Sequence, residues 1–524
     1  MTINTFRELT RKALFRIPPL FILLLLSMSA SVAPAADIQN PDEDTAESLT
    51  KQAARQIKKG DLVTGEKLVR QALELSPKNT NTKLTFAYLL VKKRQWTQAY
   101  DVSFAIAKAD PKNSRAFAIL GVALLNAGRF PEAKTVLYNS VNLNKREALG
   151  WAGLGMLDFY ENRIEDSLSN LRAAQYLDPN DADFIFALAQ VSARAEKYKE
   201  AADAYNAFLA IADKADKERR DRIKGLIDFL RYLGQKESLY VIAGEDSTSV
   251  PISIVGNRPI LELRINDNPR PLKFVLDTGS GISVISNKTA ALLKLKPVAH
   301  GGFAKGIGGD GKFEIIYGFL RQVGIGEVKV RNVPVYIREF HNSSEDIDGY
   351  IGLSLISKFL TTLDYGNQTF DLRKKYDDGP QGTGESVSLP LRLTSSGFLS
   401  GEVQLEGVES PLNFIVDTGA SVSVISDDLA GTDKVSHFAR DEKLRVIGSA
   451  GITEDVPTFL LPKVSFGAHT RKSITAIALN LTLINEASGF QQSGILGGNF
   501  LRNYRLTFDF RNSKVTFVPI AKDQ

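Results

Sequence analysis

The sequence predicts a multidomain α + β protein, in which an α-solenoid of stacked helix pairs precedes two similar all-β domains. Three observations carry that expectation. Between Thr45 and about Asp213 the chain repeats every 34 residues. After about Val250 it changes to short Val, Ile, Phe and Leu runs broken by Gly, Asn, Asp and Pro. Within that second region one block occurs twice, as KFVLDTGSGISVIS (273–286) and NFIVDTGASVSVIS (413–426). The boundaries that follow are an export segment at 1–36, helical repeats at 37–240 and a first β-domain at 250–375. A linker at 376–386 and a second β-domain at 387–520 complete the chain.

At the N-terminus, Arg7, Arg11, Lys12 and Arg16 precede an apolar run that ends in the small residues Ala33-Pro-Ala-Ala36. A positive end, a short apolar core from Leu20 to Met28 and a small-residue junction define a secretory signal peptide. The expected product is an exported chain, periplasmic or secreted, beginning near Ala36 or Asp37. The competing reading is an uncleaved anchor over 17–36, the only case in which a membrane becomes a partner.

Apolar content of 43% and charged content of 24% are those of ordinary folded protein. The net charge of +5 is small and dispersed, which argues against nucleic acid as a partner. The basic run KERRDRIK (217–224) reads as a solvated helix face. With no cysteine, disulfides, thiol catalysis and thiolate metal sites are excluded. The histidines at 300, 341, 437 and 469 lack metal-ligand spacing, so no metal or other cofactor is expected.

In the repeats, Pro77, Pro111, Lys145, Pro179 and Asp213 share one register. Small residues recur at Ala99, Ala133, Ser167 and Ala201, and again at Ala87, Gly121, Gly155 and Ala189. Such a period places a small residue where paired helices cross. The stretch WAGLGMLDFYENRIEDSLSNLRAAQYLDPN (151–180) resembles the tetratricopeptide repeat, over about five copies. That resemblance implies protein or peptide docking on the concave face. Residues 216–234 read as one closing helix ending at Gly234.

Each β copy runs in the same order: an amphipathic strand, Asp-Thr-Gly, a glycine-rich stretch, a strand pair, then an apolar-apolar-Gly element at Gly352 or Gly497. The paired blocks resemble the retropepsin and pepsin clan of aspartic proteases, from about 250 to 520. Copies of about 125 residues are nearer to single retropepsin subunits. The resemblance implies an α-solenoid of tetratricopeptide helix pairs followed by two all-β retropepsin-like domains forming a pseudodimer. It also implies an aspartic endopeptidase acting on peptide or protein substrates.

Asp277 and Asp417 would then meet as a dyad sharing one proton and activating a water. Thr278 and Thr418 would bond across the junction, while Gly279 and Gly419 would leave room for water and substrate. Gly352 and Gly497 would support the two loops. The glycine stretches KGIGGDGKFE (305–314) and VIGSAGITE (446–454) would be flaps, with Gly306, Gly308, Gly309, Gly448 and Gly451 at their tips. The first also mimics a phosphate loop, but Phe313 stands where a hydroxyl residue belongs and no helix pattern follows.

The two motifs differ at one position, Ser280 against Ala420. A serine hydroxyl there, as the clan uses it, would donate to Asp277 and favour it as the ionised member. Asp364 and Asp509 are duplicated too, and read as turn carboxylates. Two competing readings remain: a catalytically silent peptide-binding scaffold, and β-domains that pair between two chains.

Overall fold

The computed structural model describes residues 41–236, 238–341, 346–374, 387–390 and 392–520. The export segment and the 376–386 linker lie outside the described residues.

Five helix pairs form first: Pro41–Lys59 with Leu62–Leu75, Thr80–Lys92 with Trp96–Ala109, and Ser114–Asn126 with Phe130–Leu143. Ala148–Tyr160 with Ile164–Leu177 and Ala182–Arg194 with Tyr198–Ile211 complete them. The 34-residue period has a local cause at every junction. Asn79, Asn113 and Asp181 cap helices, their side chains accepting from the amides of Thr82, Ala116 and Asp183 at 3.0 Å each. The turn inside each pair carries a left-handed residue in strict register, at Gly60, Arg94, Gly128, Asn162 and Glu196. Gly121 and Gly155 sit where helices cross, and a Cβ there would fall 2.6 Å and 2.7 Å from Leu137 and Leu171.

The first helix of each pair lies inside and the second outside, and the spiral closes on itself. Asp213 donates its amide to Lys59 O at 2.8 Å, and Lys58 pairs with Asp178. Across the inner face Tyr88 donates to Asp181 at 2.8 Å, and Lys92 pairs with Asp183 at 2.6 Å. The inner helices Thr80–Lys92 and Ser114–Asn126 are buried on nearly every side. The concave groove expected to receive a partner is therefore filled by the array's own side chains.

The single closing helix expected at 216–234 is two, Lys217–Arg222 and Lys224–Leu233, broken at Ile223. The break lays the second piece on the strand Ala299–Lys305, where a Cβ on Gly225 would strike the Gly301 carbonyl at 2.3 Å. The basic run is not a solvated face. Arg219 pairs with Asp183 at 2.6 Å, and Arg220 donates to the carbonyls of Leu209 and Ala212 at 2.8 and 3.1 Å.

The β region opens at Val241, ahead of the boundary near 250, because Val241–Gly244 pairs with Val328–Arg331. Its two halves repeat one topology. In each, the strand leading into Asp-Thr-Gly (Leu272–Leu276, Leu412–Val416) runs parallel to a short strand (Gly349–Ile351, Gly494–Leu496). That short strand is antiparallel to a third (Val284–Ser286, Ser423–Ser426). A six-stranded sheet joins the halves within one chain, with Phe359–Asp364 antiparallel to Tyr504–Asp509 at its centre. Asp364 and Asp509 end these two central strands and cap the turns that follow, accepting from the amides of Gly366 (2.9 Å) and Asn512 (3.0 Å).

Solenoid and β region are fastened by the repeat turns. Gln491 donates its amide to Asn126 O at 2.8 Å, Asn162 reaches Phe510 O at 3.2 Å, and Lys358 pairs with Glu196. Phe490 leaves the β region to sit between Phe130 and Tyr160, at 4.9 Å from each ring. Burying so large a ring in the neighbouring core contributes about 2 kcal/mol or more.

Candidate active site

The two Asp-Thr-Gly loops meet head to head beneath a cavity of about 940 Å³. Each is positioned by the short strand crossing under it: Asp277 N donates to Ile351 O and Asp417 N to Leu496 O, both at 3.0 Å. The crossing requires glycine at 352 and 497. A Cβ there would lie 2.7 Å from the backbone of Ser280 or Val422.

Thr278 and Thr418 are fully buried and reciprocal. Each backbone amide donates to the other's hydroxyl at 3.1 Å. Each hydroxyl then donates to the carbonyl two residues before the opposite threonine, Val416 or Leu276, at 2.6 Å. The same junction brings the buried side chains of Asp277 and Asp417 together, each against the glycine of the opposite loop. Gly279 and Gly419 line the cavity and also serve the junction itself. A Cβ on Gly279 would stand 2.4 Å from the Asp417 carboxyl carbon, and one on Gly419 would stand 2.7 Å from Asp277 Oδ1. Each loop reserves the space that the other's carboxyl group occupies.

The carboxyl groups are not equivalent. Burial, then the charge and hydrogen bond of Asp417, push Asp277 well above the usual carboxylate range, and the Gly279 amide opposes this. Asp417 is also raised by burial. It is held down by the bond from Asp277 and by the amides of Gly419, Ala420 and Gly279. The Gly419 and Ala420 contacts measure 2.7 and 3.2 Å. Asp417 accepts from the amides of Gly419 and Ala420, and Asp277 from that of Gly279 at 2.9 Å, so the loop amides favour charge on Asp417 over Asp277. The donor expected from Ser280 is not seen on Asp277. The serine hydroxyl donates instead to Ile282 O at 2.9 Å, so it is spent inside its own loop.

Both glycine stretches are hairpin tips, and they touch. One joins Ala299–Lys305 to Lys312–Ile325 and holds Gly306, Gly308 and Gly309; the other joins Ala439–Gly448 to Gly451–Phe466. Gly309 N donates to Ile452 O at 3.3 Å and Ala450 N to Ile307 O at 2.8 Å, roofing the cavity. The apparent phosphate loop is thus a turn between antiparallel strands, closed by Gly306 N to Gly311 O at 2.9 Å.

Several cavity residues escaped the sequence reading. Lys305, 8% exposed, pairs with Glu218 of the solenoid's closing helix and with Glu486 of the second β-domain. Arg194 stacks on Phe159 at 3.8 Å and donates to Thr394 O and Ser395 O at 2.5 and 3.1 Å. Burial pushes its guanidinium down to about 9. Arg338 lines the first half-site. Of these, Arg338 left a signal: superposing the two copies strand by strand sets it opposite a leucine.

Comparisons with known proteins find similarities in both parts of the chain. A family model described as aspartyl protease matches residues 261–355 and again 401–500, once in each β-domain. Among solved structures, an aspartic proteinase from Irpex lacteus aligns at 13% identity with a TM-score of 0.37, covering 52% of this chain and 98% of that one. A thermophilic TPR protein from Thermus thermophilus aligns at 17% identity and a TM-score of 0.28, over 33% of this chain and 95% of that one. Anaphase-promoting complex subunit 3 of Schizosaccharomyces pombe is 24% identical over 183 residues, 34% of this chain and 28% of its own. The chain also matches BBSome complex member BBS4 of Bos taurus, at 28% identity over 144 residues. It spans only 28% of the length of each of these two relatives. The aspartyl protease model thus matches once in each of two β-domains of one topology, which follow an array of paired helices.

Proposed function

We propose that the protein is an exported aspartic endopeptidase that hydrolyses peptide bonds through the Asp277 and Asp417 dyad. What supports the reading is the apposition of two buried carboxyl groups under paired flaps, where a Cβ on either loop's glycine would fall within 2.7 Å of the opposite carboxyl group. A peptide enters when the flap tips part. Asp417, charged and steadied by backbone amides, takes a proton from a water held between the pair, and the resulting hydroxide adds to the scissile carbonyl carbon. Asp277 gives its proton to the carbonyl oxygen, forming a tetrahedral diol. Collapse of the diol breaks the C–N bond, with a proton returned to the departing amine.

The repeats brace the cleft. A partner docked on them would meet the outer helices, where Phe104, Tyr138 and Tyr176 are exposed, since the inner helices are closed. The deciding experiment is digestion of an unfolded protein by wild type, Asp277→Asn and Asp417→Asn. Both variants should lose activity, because an amide cannot exchange the shared proton. Near wild-type cleavage by either would refute the dyad, and inactivity of all three would favour a peptide-binding scaffold. Export is tested separately by N-terminal sequencing of the native protein, expected to begin near Ala36 or Asp37. A membrane-bound chain retaining Leu20 to Met28 would favour the anchor.

A further inference from the structure

The two side-chain pockets flanking the dyad occupy equivalent positions and have different chemistry. Val284 and Ser286 pair with Tyr336 and Arg338, and in the second half Val424 and Ser426 pair with Ile477 and Leu479. Likewise Tyr350 lies beside Val275 as Ile495 lies beside Ile415. The set Ile477, Leu479 and Ile495 therefore faces the set Tyr336, Arg338 and Tyr350 across the dyad, and all six line the cavity. One pocket is aliphatic, while the other holds a cation ringed by aromatic side chains.

Arg338 is held as a fixed charge. Its guanidinium lies 5.0 Å from the Phe313 ring, 4.8 Å from Phe340 and 5.9 Å from Tyr350. Nη1 donates to Glu339 O at 2.9 Å and, across the pseudodimer, to Ser449 O in the second flap at 3.0 Å. Nε is buried without a hydrogen-bond partner. Among the described residues no carboxylate forms an ion pair with it, and burial lowers its affinity for its proton. A partly desolvated guanidinium bonded only to neutral carbonyls gains from an anion, and carboxylate matches its donor fork.

We propose that the Arg338 pocket selects an acidic side chain of the substrate while the Ile477, Leu479 and Ile495 pocket takes an aliphatic one on the other side of the scissile bond. This deepens the endopeptidase reading and rests on it. Arg338 also reaches the flap and lies near enough to Asp277 to influence its charge, so its loss would slow every substrate. A ratio between two substrates cancels those common effects. Only a contact with the varied side chain changes the ratio.

The experiment uses fluorogenic peptides identical except for Glu, Gln or Leu at each position around the cleaved bond. They are assayed with the full-length wild type, Arg338→Lys and Arg338→Leu. At one position the wild type should prefer Glu over Gln by about tenfold or more in kcat/KM. Arg338→Lys should keep part of that preference, and Arg338→Leu should abolish it and favour Leu. A wild type indifferent to Glu at every position overturns the proposal. So does an Arg338→Leu enzyme that slows all peptides alike, which would leave Arg338 as a flap tie only. If the wild type cleaves nothing, the endopeptidase reading fails by itself. Peptide binding to Asp417→Asn, with and without Arg338→Leu, then decides the pocket by fluorescence anisotropy. Equal binding of Glu and Gln peptides sinks it.

Discussion

Thr278 and Thr418 lie 140 residues apart, and each donates its backbone amide to the other's hydroxyl at 3.1 Å. Both side chains are inaccessible to solvent, so a lost hydroxyl leaves a buried amide and a buried carbonyl unpaired. Thr278→Val and Thr418→Val should each destabilise the protein by about 2–4 kcal/mol in chemical denaturation, with two groups orphaned per substitution. Unchanged midpoints would show that the junction is not what holds the halves together.

The raised proton affinity of Asp277 has a consequence for stability. A carboxyl raised in the folded state adds stability that is complete below its unfolded value of about 3.9 and is lost as pH climbs through the folded value. Compared with Asp277→Asn, the wild type should lose up to about 1.4 kcal/mol per pH unit above pH ~4, until Asp277 ionises. Thermal melting of both proteins across that range reads the difference. Parallel curves would mean that Asp277 is not raised.

Because the Ser280 hydroxyl donates to Ile282 O, Ser280→Ala should move the acid limb of the pH–activity profile by less than about half a unit. A shift of a full unit would return the hydroxyl to Asp277.

Lys305 ties the first flap to the solenoid through Glu218 and to the second half through Glu486. Burial raises Glu218, and the Lys305 ammonium more than offsets it. Lys305→Met should cost about 1–2 kcal/mol, below the range for fully buried pairs because Glu218 is nearly half exposed. It should also speed protease nicking of the 299–325 hairpin. Wild-type nicking rates would show that the flap is fastened by packing alone.

The repeat array and the duplicated loops were legible because each is written locally. Ala133 and Gly121 mark helix crossings at a fixed interval, and Asp-Thr-Gly follows a short apolar run twice. The face that the solenoid turns to the β region was not. Asn162 meets Phe510 and Asn126 meets Gln491 across hundreds of residues, and such contacts leave no period. The reason for Gly279 was hidden likewise, since only the assembled junction shows which atoms fill its missing Cβ. Ser280 failed for a different reason. A hydroxyl rotor chooses between a carboxylate and a nearby carbonyl, and composition cannot record the choice.

The six-stranded sheet places both half-sites on one polypeptide. In an enzyme assembled from two identical subunits, every substitution is imposed on both sides of the symmetry axis at once. Covalent fusion lifts that constraint. Arginine stands at 338 opposite leucine at 479, and serine at 280 opposite alanine at 420. Two unlike halves on one polypeptide thus give the cleft a left and a right, and with them a polarity that a symmetric cleft would lack.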